Sequence, residues 1–126
     1  MRAIALSTAL LVGCAGNPPP QAPLRHAETP MPPVSQFGTV CATLAKPTRI
    51  GAADGAFPKS AVTAGYASGW VVVRYDITNG RTSNASAVAS SPALFEPAAL
   101  RLVASMEYPD AVSATQCVSP IAFRLE

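Results

Sequence analysis

GWVVVRYDITNGRTSNASAVASS, residues 69–91, is the stretch on which the fold turns. In its first arm Val71, Val73, Tyr75 and Ile77 share one face and Trp70, Val72, Arg74 and Asp76 the other, the period-two pattern of a strand with one apolar side. Asn79-Gly80 follows, the strongest short-range hairpin signal, because a type I′ turn needs positive φ at both central residues. The return arm is small and polar, which predicts that Ala85 and Ala87 lie beneath a closely packed element, a helix.

Downstream, Pro97 suits a first helical turn, and Ala99, Leu102, Val103 and Met106 recur at three- and four-residue spacing, with Phe95 just upstream. Tyr108-Pro109 predicts the end of that helix. A final strand is expected where Ile121, Phe123 and Leu125 alternate with Ala122, Arg124 and Glu126. Pro120, at or inside its start, cannot donate a ladder hydrogen bond and argues for an edge position. Upstream of the hairpin, Pro58 opens a short helix over residues 59–64, and residues 37–50 offer a short strand before Pro47. The fold class expected for residues 37–126 is α+β: a small antiparallel sheet of three to four strands packed by one main helix and a short N-terminal helix.

At 126 residues, 49% apolar and 13% charged, the chain suits one small domain. Its formal charge of +2 is spread thinly, without a basic run, so nucleic acid is not an expected partner. The start, MRAIALSTALLVGCAG, has Arg2, an apolar run and small residues, as a secretion signal does, and is too short to span a bilayer. Leu11-Val12-Gly13-Cys14 resembles the bacterial lipobox, which implies cleavage before Cys14, acylation there with chains such as palmitate, and stable membrane attachment. Ala15 after the cysteine implies sorting to the outer membrane, on its periplasmic side. The alternative is an ordinary signal peptide cut after Ala15.

Residues 1–13 are thus read as signal peptide and 14–36 as a lipidated cysteine and tether. Residues 17–35 hold seven of the thirteen prolines and no periodic pattern. Extended at about 3.1 Å per residue, that segment would reach roughly 60 Å. The only histidine, His26, lies in it beside Arg25 and Glu28 with no second ligand, and reads as a solvated linker residue. With Cys14 consumed by lipid, Cys41 and Cys117 remain, an even pair in an oxidising compartment, expected to form a disulfide closing a loop of about 76 residues. Two buried free thiols are the alternative.

The order of elements, with particular residues in place, resembles the C-terminal domain of TonB, the energy transducer of Gram-negative outer-membrane transport. Phe57-Pro58 and Ala61 match its aromatic-proline start, and Gly69, Val71, Val73, Tyr75 and Ile77 its first long strand. Gly80, Arg81 and Asn84 match its turn, Ser90-Ser91 a serine pair, Phe95, Ala98, Ala99 and Val103 its helix, and Phe123 to Leu125 its terminal Phe-Arg-Leu. Met106 stands where the family usually carries Trp. The family grips its receptor by β-augmentation, in which a short receptor segment adds as a strand to a sheet edge. The resemblance therefore implies a partner site on Ile121, Ala122, Phe123, Arg124 and Leu125, with Arg81 as a further polar contact. It implies an outer-membrane receptor or envelope protein segment as partner, a homodimer being open. The inner-membrane helix and long spacer of a TonB proper are not seen, so binding is expected rather than energy transduction.

No enzyme is expected. Both domain cysteines read as structural, the seven acids have no paired spacing, and Ser90-Ser91 has no base beside it and reads as a turn or cap. No phosphate loop or metal-ligand cluster is present, and no cofactor is expected. The alternative function is a structural accessory envelope lipoprotein packing through Trp70 and Val72, its sheet edge covered by the segment around Cys41.

Overall fold

The computed structural model describes residues 23–41, 46–48 and 57–125. The hairpin forms as the sequence predicts: β1 (Ser68–Thr78) and β2 (Arg81–Ser91) pair antiparallel around Asn79 and Gly80. Both turn residues are left-handed, with φ of 52° and 82°. Gly80 is required for a second reason, since a Cβ there would fall on the Tyr108 carbonyl oxygen. Its N–H donates to Val112 O at 2.9 Å and its carbonyl accepts from the Tyr108 N–H at 2.8 Å.

β3 (Ala114–Arg124) pairs antiparallel with the other side of β1, giving the order β2-β1-β3. The strand is twice the expected length, because residues 114–119 precede the alternating run and belong to it. Pro120 sits within it, opposite Val72, on an edge strand where its missing donor breaks no bond to β1. Of the strand expected in residues 37–50, the described part is a parallel bridge between Thr39 and Cys117. Residues 42–45 and 49–50 lie outside the described residues.

Helix α1 (Lys59–Thr63) starts after Pro58, one residue shorter than expected, with Ala64 as its cap. A 3₁₀ turn (Ala93–Phe95) leads into α2 (Glu96–Ser105), which has proline in its first turn and Glu96 at the positive end of the helix dipole. Ala98, Ala99 and Val103 are its buried residues, small enough to let the helix lie close on the hairpin, where Ala85 and Ala87 meet it as expected. The Thr82 hydroxyl donates to Val103 O at 2.9 Å. The helix stops at Met106, three residues before Pro109, where ψ has opened to 138°. The cause is the neighbouring hairpin: Glu107 bridges Arg81 and the Tyr108 N–H bonds Gly80, so the chain leaves the helix to run beside the turn.

Between sheet and α2 lies the main core, with Val71, Val73, Tyr75, Ile77, Phe95, Val103 and Phe123 all buried. Each such side chain contributes roughly 1.5–3 kcal/mol by leaving water. The Tyr75 hydroxyl shares hydrogen bonds with Tyr108 (2.8 Å) and Ser119 (2.7 Å), so the polar ends of the pair are satisfied inside the core. Burial, followed by the bond to Tyr75, pushes the Tyr108 hydroxyl well above the usual phenol range.

The sheet's second face is buried too. Trp70, Val72 and Val118 form a separate apolar cluster covered by Ala27, Met31, Val34, Phe37 and Val40. Residues 23–36, expected as part of a tether, are instead a strap. Trp70 Nε1 donates to Thr29 O at 2.7 Å, Glu28 N–H to Ser91 Oγ at 3.0 Å, and Ala67 N–H to Arg25 O at 2.6 Å. His26 is exposed but anchored, Nδ1 lying 2.9 Å from Ser68 Oγ. The physical reason is that β1 is apolar on both faces. Proline, already fixed in φ, also loses less entropy than other residues when a covering segment is ordered. Removing residues 14–35 is expected to red-shift the emission of Trp70, the sole tryptophan, and to lower stability by about 2–4 kcal/mol. Fluorescence and urea unfolding of the shortened and full mature chains check this.

Candidate functional site: the outer edge of β3

β3 is an edge strand, and its outer side divides into two parts. Thr39 N–H donates to Gln116 O and Val118 N–H donates to Thr39 O, both at 2.8 Å, so residues 116–118 are covered. A disulfide joins Cys41 to Cys117, with Sγ–Sγ 2.08 Å and Cα–Cα 5.3 Å, and ties the covering segment to the strand. Beyond Val118, no strand lies beside β3 among the described residues.

Backbone groups alternate sides along a strand. Because Val118 N–H faces outward, Ala122 and Arg124 also turn their N–H and C=O groups outward, while Phe123 and Leu125 face inward. Leu125 N–H accordingly bonds Ala67 O at 2.8 Å. Pro120 offers only an acceptor. The open edge is thus a short one, with donors at 122 and 124 and acceptors at 118, 120, 122 and 124.

The six expected contact residues divide accordingly. Ala122 and Arg124 are exposed and Leu125 is 38% exposed. Ile121 is half-buried against the main core, and Phe123 is a core residue stacked on Phe95 at 5.0 Å between ring centroids. Their contribution to the edge is to hold β3 in place from beneath. Arg81 belongs elsewhere: it opens β2 opposite Thr78, at the far end of the sheet and on the other side of β1. Thr78, the partner of Arg81, is seven steps along β1 from Val71, the partner of Ile121, or roughly 23 Å.

A second constellation escaped the sequence reading. Asp76 sits on the central strand where both neighbours bulge: Asn84 in β2 and Gln116 in β3 each have a φ of 52° beside a register shift. Its carboxylate accepts from Asn84 Nδ2 at 2.9 Å and from the Gln116 N–H at 2.8 Å, joining the two bulges. With Arg74, Ser86 and Thr115 these residues line an open polar cavity of about 520 Å³ on the same face as the strap, nearer the hairpin turn. The bond from Asn84, then that from Gln116, holds the Asp76 carboxyl below its ordinary value of 3.8. A depressed folded-state pKa stabilises the fold above the unfolded value, and that contribution disappears as pH falls through the folded one. The wild-type urea midpoint is therefore expected to fall more steeply below pH 3.8 than that of Asp76→Asn, a difference read from unfolding curves across pH 2–6.

Ser90 and Ser91 are spent on structure. The Ser90 hydroxyl donates to Glu96 at 2.6 Å and Ser91 Oγ accepts from the strap. Among the described residues no group of three or more His, Cys, Asp or Glu side chains could hold a metal. No described helix is long and apolar enough to cross a membrane. No protein-family model matches the chain, and no curated protein matches it.

Proposed function

We propose that the protein is a periplasmic interaction module of the TonB C-terminal type, carried on a lipid anchor at Cys14, that binds an extended segment of an outer-membrane transport protein by strand addition. The observation that carries this reading is the outer edge of β3 beyond Val118, open among the described residues and held rigid from beneath by Ile121 and Phe123. Main-chain donors and acceptors at Ala122 and Arg124 supply affinity, and exposed Arg124 and Leu125 supply side-chain selection. Strand addition needs no catalytic group, in keeping with an inventory in which the buried polar side chains are committed to the fold.

Thr39 and the disulfide define where a partner strand must stop. The added segment is therefore short, about five residues, running over positions 120–124. The accessory reading through Trp70 and Val72 draws less support, because both side chains are already covered by the chain's own strap. Replacing exposed Ala122 with proline removes one outward N–H while leaving the bonds to β1 intact. It is expected to weaken binding of peptides copied from the receptor segment of that family, the TonB box, at least fivefold with little change in unfolding midpoint. Calorimetric titration of the two proteins checks this, and equal affinities would remove the edge from the account.

A further inference from the structure

We propose that the end of the domain where the strap begins is a docking tip for an anionic phospholipid surface. Leu24, Val62 and Leu125 are 55%, 52% and 38% exposed, and they are the exposed large apolar side chains among the described residues. They come together through one small knot of backbone. Gly65 N–H donates to Val62 O, Arg25 N–H to Gly65 O, Ala67 N–H to Arg25 O, and Leu125 N–H to Ala67 O.

The same knot is rimmed by basic groups. Arg25 lies over the Tyr66 ring at 4.7 Å from its centroid, Lys59 is one helical turn before Val62, and Arg124 pairs with Ser68, to which His26 is bonded. The three cationic side chains, Arg25, Lys59 and Arg124, are exposed, as is His26. Glu28, the nearest acid in sequence on the strap, has moved on to Ser91, and Glu126 lies outside the described residues. Apolar side chains within a cationic rim match the acyl and phosphate layers of an anionic bilayer surface.

Chain length points to the same occupant. Eight residues, 15–22, separate Cys14 from Pro23, so an anchor at Cys14 would keep this end within about 30 Å of the bilayer. The orientation rests on the lipid anchor proposed above, whereas the surface chemistry does not. Docked this way, the open edge of β3 would start at the membrane and rise from it.

The test uses the mature chain carrying Cys14→Ser, so that no acyl chain contributes, with vesicles of phosphatidylethanolamine and phosphatidylglycerol or of phosphatidylcholine alone. Cosedimentation is expected with the anionic vesicles only and should fall at high salt. It should weaken about fivefold in Lys59→Gln and in Arg124→Gln, and be lost in Leu24→Ser/Val62→Ser, whose Trp70 emission reports an unchanged fold. Arg81→Gln, at the far end of the sheet, should bind as wild type. No binding to anionic vesicles, or equal losses in Arg81→Gln, would overturn the proposal. Mass spectrometry of the chain from a bacterial host separately reads acylation at Cys14, and peptide titration reads the edge, so failure of the tip is distinct from failure of either.

Discussion

Phe95→Ala is expected to destabilise the domain by about 3–5 kcal/mol, enough to leave much of a small protein unfolded at ambient temperature. Phe95 has no exposed surface and joins otherwise separate parts of the chain. Its ring stacks on Phe123 of β3 at 5.0 Å and meets Phe57 and Tyr66 edge-on at 5.4 and 6.3 Å. Gly69 makes room for it, since a Cβ on that residue would fall onto the ring. Truncation removes all three ring contacts and opens a cavity beneath the half of β3 that carries the proposed edge. Urea unfolding should show the loss as a lower midpoint with an unchanged slope, and Phe95→Leu should recover a large part of it. A loss below about 1 kcal/mol would mean that the aromatic cluster is not the centre of the core.

Removing the disulfide is the second large effect. The two cysteines are 76 residues apart in sequence, and closing such a loop restricts the unfolded chain by about 4.5 kcal/mol in the chain-entropy model. Cys41→Ala/Cys117→Ala should therefore lose roughly 2–5 kcal/mol relative to the oxidised protein. The positions add a consequence for the edge. Cys41 holds the Thr39 segment against Gln116 and Val118, so without the bond the segment loses its covalent tie to β3 and keeps the two hydrogen bonds and the packing of Phe37 and Val40. Amide exchange at Val118 should accelerate by more than at Val73, in the centre of the sheet. Equal acceleration at the two sites would mean that the disulfide acts on global stability and not on the covering of the edge.

Much of the fold was legible because it rests on local chemistry. Asn79-Gly80, the alternation of β1, Pro97 before a small-residue helix face, and Pro120 on an edge each carry their meaning within a few residues. What was missed depends on irregularity. The first half of β3 lost its alternation because the bulge at Gln116 breaks the period of two, and β2 carries two such breaks against β1. The Asp76 constellation exists only through those bulges, so no motif announced it. The strap was hidden in another way. Proline-rich chain has no period to read, and the sign that it would be ordered lay elsewhere, in Trp70 and Val72 on a face of β1 that would otherwise meet water.

The candidate edge was legible as far as the terminal alternation and Pro120 reached. Its division into covered and open halves was not, because that depends on where Thr39 comes to rest after the strap has crossed the sheet. Arg81 enters that set through the resemblance alone, and register puts its hairpin turn at the opposite end of the sheet from Ile121.

The central claim, that the protein captures an extended partner segment at residues 120–124, is tested most directly by amide chemical shifts. The oxidised mature chain, with its strap intact and Cys14→Ser, would be titrated with a panel of TonB-box peptides. The account predicts saturable shifts largest at the outward amides of Ala122 and Arg124, smaller at Phe123, and least at Val118, whose N–H is already held by Thr39. Shifts confined to β2 or to the polar cavity around Asp76, or no shift with any peptide at millimolar concentration, would contradict it.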